Sequence, residues 1–396
     1  MSKNNYESLG VSASKSGLHA VLEKTGLSST GHLFASVTED IAGDTEYYSF
    51  MHCDGAGTKT IVPYLYFRET GDSSLFRGLA QDALVMNLDD VFCVGTPERL
   101  CLSNAIARNA RIINDEILAE ILIGYRDLCG ELRNNGIDIE LCGGETADCG
   151  DIVRTLVVDA VLSGRIKKSQ IIDTQAICSS DVIVGLSSTG KASYEKYGNS
   201  GIGSNGLTLA RHCLLNKTYL ENNPEVVDPG IDQKLAYRGP FRASDRPKSL
   251  TMSVGHALAS PTRTYAPLLI QVYKCLGSDV HAAIHQTGGG QTKILRFGKN
   301  KRYIKDNLFP VPPLFQLIQE HGAVSWREMY QVFNMGHRME LYVPEKRAEE
   351  VIRIASQFQI DARVVGRVEN QDASKAENTN SLLLKTPYGE FDFEQG

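Results

Sequence analysis

A chain of 396 residues is longer than one hydrophobic core usually supports, so two domains are expected. With 42% hydrophobic residues, 22% charged residues, a formal net charge of −6 and no long basic block, the composition fits a globular enzyme and argues against nucleic acid as a main partner. Nine cysteines, an odd count without any C-x-x-C pair, argue against both a zinc site and a disulfide framework. No stretch approaches the ~20 apolar residues of a membrane span, and residues 1–6 have no apolar run behind them, so a cytoplasmic protein is expected.

Leu18, Val21 and Leu22 at helical spacing predict a short helix over 15–25. Residues 47–53 read as a strand that stops at Asp54-Gly55. Leu75, Leu79, Ala83 and Met86 share one face of a predicted helix over 75–87, and a longer helix is predicted over 116–134. A strand over 137–141 is expected to end at Gly143-Gly144, and another spans 155–162. Beyond Lys168 the pattern predicts strands over 181–186, 280–284, 339–343 and 362–365, with helices over 207–215, 326–333 and 345–358. Residues 216–260 are polar and proline-bearing with little periodicity, and read as a long excursion or flap. Residues 371–380 read as a flexible linker, leading to a terminal hairpin around Pro387-Tyr388-Gly389. The class is α/β or α+β, divided as 1–168, 169–370 and a tail of 371–396.

Four glycine-broken polar motifs carry the chemistry. In Asp54-Gly55-Ala56-Gly57-Thr58-Lys59 the glycines let backbone N–H groups approach a phosphate, Thr58 can bond an oxygen, and Lys59 supplies charge. The order differs from a P-loop, and alone the motif reads more simply as a glycine hairpin. Asp82, Asp89 and Asp90 lie seven and eight residues apart, near one helical face, with Asn87 at the same end. Such carboxylates, with Asp54, suit a magnesium ion that also takes waters and phosphates; a solvated helix end competes as the reading of Asp89 or Asp90 singly. Glu145, following two glycines, is expected to enter a cleft at a strand end, as Asp54 does.

Gly201-Ile202-Gly203-Ser204-Asn205-Gly206 satisfies G-x-G-x-x-G without the strand that a dinucleotide fold requires. It reads instead as a helix start capped by Ser204 or Asn205, with free N–H groups suited to a phosphate. His285 is placed at a strand end beside Gln286, Thr287, Gly288, Gly289 and Gly290, a donor-rich turn. Arg263 offers a guanidinium for phosphate, and Asn334-Met335-Gly336 reads as a helix C-cap.

These segments together resemble the phosphoribosylformylglycinamidine cyclo-ligase family, also called aminoimidazole ribonucleotide synthetases. The family's hallmarks D-G-V-G-T-K, D-x-V-A-M-N-x-N-D, G-G-E-T-A-E-M-P-G, S-G-x-H-S-N-G, P-T-R-I-Y, H-I-T-G-G-G and N-M-G look matched, in that order, by the Asp54, Asp82, Gly143, Ser200, Pro261, His285 and Asn334 segments. The resemblance spans residues 6–368. Departures include Ser12 for an aspartate, Asp89 for an asparagine, Gly203 for a histidine, Gln286 for an isoleucine, and His337-Arg338 where small residues are usual.

The resemblance implies a two-domain fold whose N-terminal domain pairs in a homodimer to form a β-barrel, with ATP in a cleft at that interface. It implies ATP-dependent closure of formylglycinamidine ribonucleotide, a small-molecule ribonucleotide, to aminoimidazole ribonucleotide. Asp54, Gly55, Gly57, Thr58, Lys59, Asp82, Asn87, Glu145 and Lys24 would then hold ATP, with Mg2+ on Asp54, Asp82, Asp90 and Glu145. His285, Lys59 and Asp82 would serve the chemistry. Gly203, Ser204, Asn205, Gly206, Arg263, Thr287, Gly288, Gly289, Gly290 and Asn334 would bind the substrate. The competing expectations are a small-molecule kinase on the same scaffold, of selenide or thiamine-phosphate type, and a non-catalytic nucleotide-binding subunit.

Overall fold

The strand Leu156–Lys167 buries Leu156, Val158, Ala160 and Leu162 on one face and turns Val157, Asp159 and Val161 to the other. That period of two belongs to a sheet covered on one side. In the computed structural model, which describes residues 4–12, 17, 21–22, 24–25, 32–372, 374–375 and 379–395, this strand is the middle of five. They are β1 (Thr38–Glu39), β2 (Tyr47–Gly55), β3 (Pro97–Arg108), β4 (Ile139–Asp148) and β5 (Leu156–Lys167), in the order β1-β2-β5-β3-β4. Only β3 and β4 run parallel. Helices Arg77–Phe92 and Asp115–Asn134 cover the apolar face. The second starts where Asn114 accepts from the N–H of Ile117 at 3.1 Å, with Asp115 and Glu116 complementing the helix dipole. The opposite face leaves Met51 and Val157 exposed.

The second sheet takes β6 (Asp181–Ser187), β7 (Ala282–His285), β8 (Lys301–Lys305), β9 (His337–Pro344), β10 (Ala362–Asn370), β11 (Ser381–Thr386) and β12 (Gly389–Glu394) in the order β12-β11-β8-β10-β6-β9-β7. Its strands β6 and β9 are buried almost throughout. Neither sheet closes into a barrel among the described residues. The result is a mixed α/β molecule with two sheets.

Several expectations change. The predicted strand over 137–141 does not end at Gly143-Gly144; β4 continues to Asp148 and carries Glu145 within it. Gly144 is there because a side chain would meet Asn104 Oδ1 at 2.4 Å, so the glycine serves a neighbouring strand and not a turn. β3 was not anticipated, nor were helices Ile61–Thr70, Ala266–Leu276 and Pro313–Gly322. The stretch 216–260 is no free flap: it buries Tyr219, Tyr237 and Ala243. Arg211 donates to the Tyr237 hydroxyl at 2.5 Å, and His212 Nδ1 accepts from the Tyr237 N–H at 3.1 Å. Most of the helix predicted over 15–25, and part of the linker over 371–380, lie outside the described residues.

The terminal hairpin adds to the second sheet. β11 pairs parallel with β8 and antiparallel with β12, burying Leu382, Leu384 and Phe393. The Trp326 and Tyr388 rings stack with centroids 3.6 Å apart. Leu384→Ala is therefore expected to lower unfolding free energy by about 2–4 kcal/mol in urea titrations; an unchanged midpoint would contradict a docked hairpin.

Burial holds the His212 imidazole neutral, its pKa lowered to about 2, with Arg211 and Arg238 adding to the effect. Unfolded, the same group protonates near about 6.5. As pH falls below that value the unfolded chain takes the proton first, so this contribution is present at neutral pH and is lost on acidification. Stability is expected to fall by up to about 1.4 kcal/mol per pH unit through this group, and His212→Gln should flatten the slope. Equal slopes for the two proteins in urea titrations at about pH 7 and about pH 5 would contradict it.

Candidate functional site

The helix Arg77–Phe92 carries Asp82, Asn87, Asp89 and Asp90 into the seam between the two sheets, and all four are buried. Buried carboxylates are tolerated only when donors or cations meet them. Asp82 Oδ1 accepts from Lys59 Nζ at 2.7 Å, from the Thr262 N–H at 2.8 Å, and from the hydroxyls of Thr262 at 2.6 Å and Ser204 at 3.2 Å. Its other oxygen is buried without a hydrogen-bond partner. Lys59, fully buried, spends its remaining donors on the carbonyls of Gly203 at 3.0 Å and Ser260 at 2.5 Å. Burial pulls its pKa down, and the Asp82 charge opposes that pull. Lys59 thus ties the glycine-rich segment of the first sheet to two loops of the second.

Two turns further along, Asp89 accepts from Thr264 Oγ1 at 2.6 Å and from the Tyr265 N–H at 3.1 Å. Arg338 Nη2 lies 3.6 Å away. Burial raises the Asp89 pKa, while His285 and Arg338 act against it. Asp90 is the opposite case: burial alone would raise it, but the hydrogen bond and charge of His285 hold its carboxyl below the usual range. His285 Nδ1 is 2.6 Å from Asp90 Oδ1, so that nitrogen donates, and Nε2 is left buried without a hydrogen-bond partner. His52 Nε2 lies 3.6 Å from the other Asp90 oxygen, and its Nδ1 sits 2.8 Å from Asn87 Oδ1.

Two departures from the family pattern meet here. Gly203 has φ of 69°, and a side chain on it would begin 3.3 Å from Arg338 Nη1. The Arg338 guanidinium therefore occupies the space that a side chain at 203 would need. It also donates to the Arg263 carbonyl and lies 5.4 Å from the centre of the Tyr265 ring.

The other anticipated residues divide. Asp54 and Gly55 end β2, and the pairings Gly55–Asp159, Asp159–Ala105 and Ala105–Glu145 put Gly55, next to Asp54, in one row across the sheet with Glu145. Three strand spacings separate the ends of that row by about 14 Å. Magnesium bonds are about 2.0–2.1 Å long, so within one chain Glu145 and Asp54 do not share an ion. Asp159, which no motif announced, stands beside Asp54; burial and the Asp54 charge push its carboxyl up. A side chain at Gly55 would overlap Asp159 Oδ1, which fixes glycine there.

Gly57 has φ of 55°, and Thr58 Oγ1 lies 2.9 Å from Thr208 Oγ1. Asn87 braces the helix to the sheet by donating to the carbonyls of Asp54 at 3.2 Å, Ala83 at 2.8 Å and Ala160 at 3.1 Å. Lys24 is helical and exposed, and Glu145 is exposed. Ser204 and Asn205 do not cap the helix Leu207–Leu214; Gly206 takes that position with φ of 76°, because a side chain there would strike the Phe333 ring. Arg263 is held by Glu195 at 2.9 and 2.6 Å and by the carbonyls of Ser187 and Thr189.

Asn334 does more than end a helix. It donates to the Gly201 carbonyl at 2.8 Å and accepts from Ser188 Oγ at 2.9 Å, closing the loop that carries Gly203. Thr287 accepts from the Gly290 N–H at 2.8 Å, which shapes the turn of Gly288, Gly289 and Gly290 after His285. His52, Thr262, Thr264 and Asp159 are site residues the motifs did not single out. His52 had a signal: it stands two residues before Asp54, on the same face of a strand.

Residues 36–166 match the N-terminal domain family of AIR synthase related protein, and residues 179–377 match its C-terminal domain family. The phosphoribosylformylglycinamidine cyclo-ligase of Methanococcus vannielii is 31% identical over 329 residues, covering 82% of this chain and 79% of that protein. That of Methanocaldococcus jannaschii is 31% identical over 323 residues, with the same two coverages. In three dimensions the chain is similar to thiamine monophosphate kinase from Aquifex aeolicus, with TM-score 0.53, 12% identity, and coverage of 96% of this chain and 99% of that one. It is also similar to Thermotoga maritima PurL complexed with ADP, with TM-score 0.54 and 15% identity over 98% of this chain, and spans 50% of that longer chain. These two likenesses show the fold alone.

Arg338→Met should lower unfolding free energy by about 3 kcal/mol, because it strands a buried Asp89. Adding Asp89→Asn should recover at least about 1 kcal/mol. Simply additive losses in urea unfolding would show that the two groups do not interact.

Proposed function

The chain belongs to the AIR synthase related protein family, and from that premise we propose that it closes formylglycinamidine ribonucleotide to 5-aminoimidazole ribonucleotide, converting ATP to ADP and phosphate, in de novo purine synthesis. The observation that carries the reading is the seam itself: Lys59 and Asp82 stand on one buried helix-to-sheet contact with His285, whose Nε2 makes no hydrogen bond and lies 3.9 Å from Asp89 Oδ2. The cyclo-ligase relatives matched across most of their length favour it over a kinase.

The chemical problem is that an amide oxygen is a poor leaving group. Transfer of the γ-phosphoryl to the formyl oxygen makes it a good one; the amidine nitrogen then attacks the formyl carbon, the C–O bond breaks, phosphate departs and the nitrogen loses its proton. Lys59 would shift from its internal carbonyl partners to phosphate oxygens and balance their charge. His285 Nε2, which makes no hydrogen bond while Nδ1 is held by Asp90, would accept the proton or orient the formyl oxygen. Arg338 adds a second buried positive charge beside Asp89. The segment 203–206, Arg263 and the turn 287–290 would surround the ribose phosphate. The main contribution is positioning of reactants in a dry seam.

The residues fit magnesium. Asp54 and Asp159 are close enough that one raises the pKa of the other, and Asp82 keeps one buried oxygen without a hydrogen-bond partner. Bound there, Mg2+ would screen the polyphosphate charge during transfer. The exposed sheet face of Met51 and Val157 is proposed to pair with its copy in a homodimer, closing the barrel and bringing Glu145 to the ATP cleft. No helix among the described residues is long and apolar enough to cross a membrane, and the enzyme is proposed to act in the cytoplasm.

The decisive assay supplies the amidine ribonucleotide, ATP and magnesium to the purified protein and follows the imidazole product by ultraviolet absorption. Asp54→Asn is expected to lose at least about 100-fold in turnover while remaining folded. His285→Ala should slow kcat by about 100-fold with the KM for ATP nearly unchanged. Wild-type turnover in Asp54→Asn would contradict its metal role, and a collapse of ATP affinity in His285→Ala would move that residue to the nucleotide site. Accumulation of a phosphorylated product in place of free phosphate would support the kinase alternative, whose fold the chain shares.

A further inference from the structure

We propose that Cys178, Asp181 and His281 form a second metal site, for a thiophilic divalent cation of the zinc class. It lies at the opposite end of the strands from the seam. Asp181 opens β6, whose other end, Ser187, accepts from Arg263, about 20 Å along the strand. His281 directly precedes β7, whose last residue is His285.

The ligand atoms of the three side chains all lie within 4.8 Å of one another. His281 Nδ1 is 2.9 Å from both oxygens of Asp181. The Cys178 N–H donates to Asp181 Oδ2 at 2.8 Å, so the backbone of the turn fixes the thiol beside the carboxylate. Asp181 is 1% exposed, and among the described residues its only ion-pair partner is His281. A buried carboxylate answered by a single imidazole leaves negative charge that a cation would neutralise. Cys178 is exposed, which leaves room on its side for a water as a fourth ligand.

One thiolate, one imidazole and one carboxylate suit zinc or cobalt(II) and do not suit magnesium or calcium, which take oxygen ligands. Tetrahedral bonds of about 2.1 Å separate a nitrogen and an oxygen ligand by about 3.4 Å, so the His281–Asp181 contact needs to open by about half an ångström. On binding, the Cys178 thiol loses its proton to solvent and the His281 proton moves to Nε2, leaving Nδ1 free to bond the ion. No C-x-x-C spacing announces such a site, because one cysteine takes part and the histidine lies 100 residues from the aspartate.

Cobalt(II) titration of the full chain tests the proposal. One cobalt per chain should give a thiolate-to-cobalt charge-transfer band in the near ultraviolet, and added zinc should remove it. Cys178→Ser is expected to abolish the band, His281→Ala to weaken binding by at least about 100-fold, and Cys142→Ser, on the first sheet, to leave it unchanged. Absence of the band in the wild-type protein, or its persistence in Cys178→Ser, would overturn the assignment. None of the three residues belongs to the seam, so cyclisation should survive Cys178→Ser.

Discussion

A helix that buries Asp82, Asn87, Asp89 and Asp90 within nine residues cannot pack against a second layer unless that layer brings cations and donors. This one constraint organises the molecule. Lys59 arrives from the turn after β2, Arg338 from β9 and His285 from the end of β7, while Thr262, Thr264 and Tyr265 offer hydroxyl and N–H donors from one loop. The docking of the two sheets and the assembly of the candidate site are the same event. A charge network of this kind stabilises little by itself, yet losing any one member leaves a stranded charge, which gives the seam its specificity.

The proposed reaction would require an exchange of partners. In the described state Lys59 is saturated by a carboxylate and two carbonyls, while one oxygen of Asp82 and one nitrogen of His285 are not used. Phosphate oxygens entering the seam would take over the bonds of Lys59, and the loop carrying Gly203 would have to shift to admit them. Gly203, Gly289 and Gly290 each have positive φ, a backbone region that glycine adopts without a side-chain clash. Arg338 fills the space beside Gly203, so a side chain at 203 would need Arg338 to move.

Much of this was legible in the sequence, for identifiable reasons. The helix Asp115–Asn134 carries an apolar stripe on one side only, so its extent could be read almost to the residue. Arg77–Phe92 was foreseen but cut short at 87, because a helix buried on every side has no stripe to follow. β3 was missed although Leu100, Leu102 and Ile106 alternate inward; serine, alanine and asparagine between them blur the period. Glycines misled at Gly144, where the cause is Asn104 on the next strand and not a local turn. The acidic motifs, Lys59 and His285 stood out because polar groups at the ends of apolar runs have few structural reasons to be there. Asp159 and the Arg338–Gly203 contact depend on pairings across the fold, which no local pattern carries.

The most direct measurement is a structure of the protein with a non-hydrolysable ATP analogue, magnesium and the amidine ribonucleotide. The account predicts a phosphate oxygen on Lys59 Nζ in place of at least one carbonyl, with the formyl oxygen within hydrogen-bond reach of His285 Nε2. Both ligands bound elsewhere, with every internal bond of Lys59 intact and no ligand atom near His285, would contradict it.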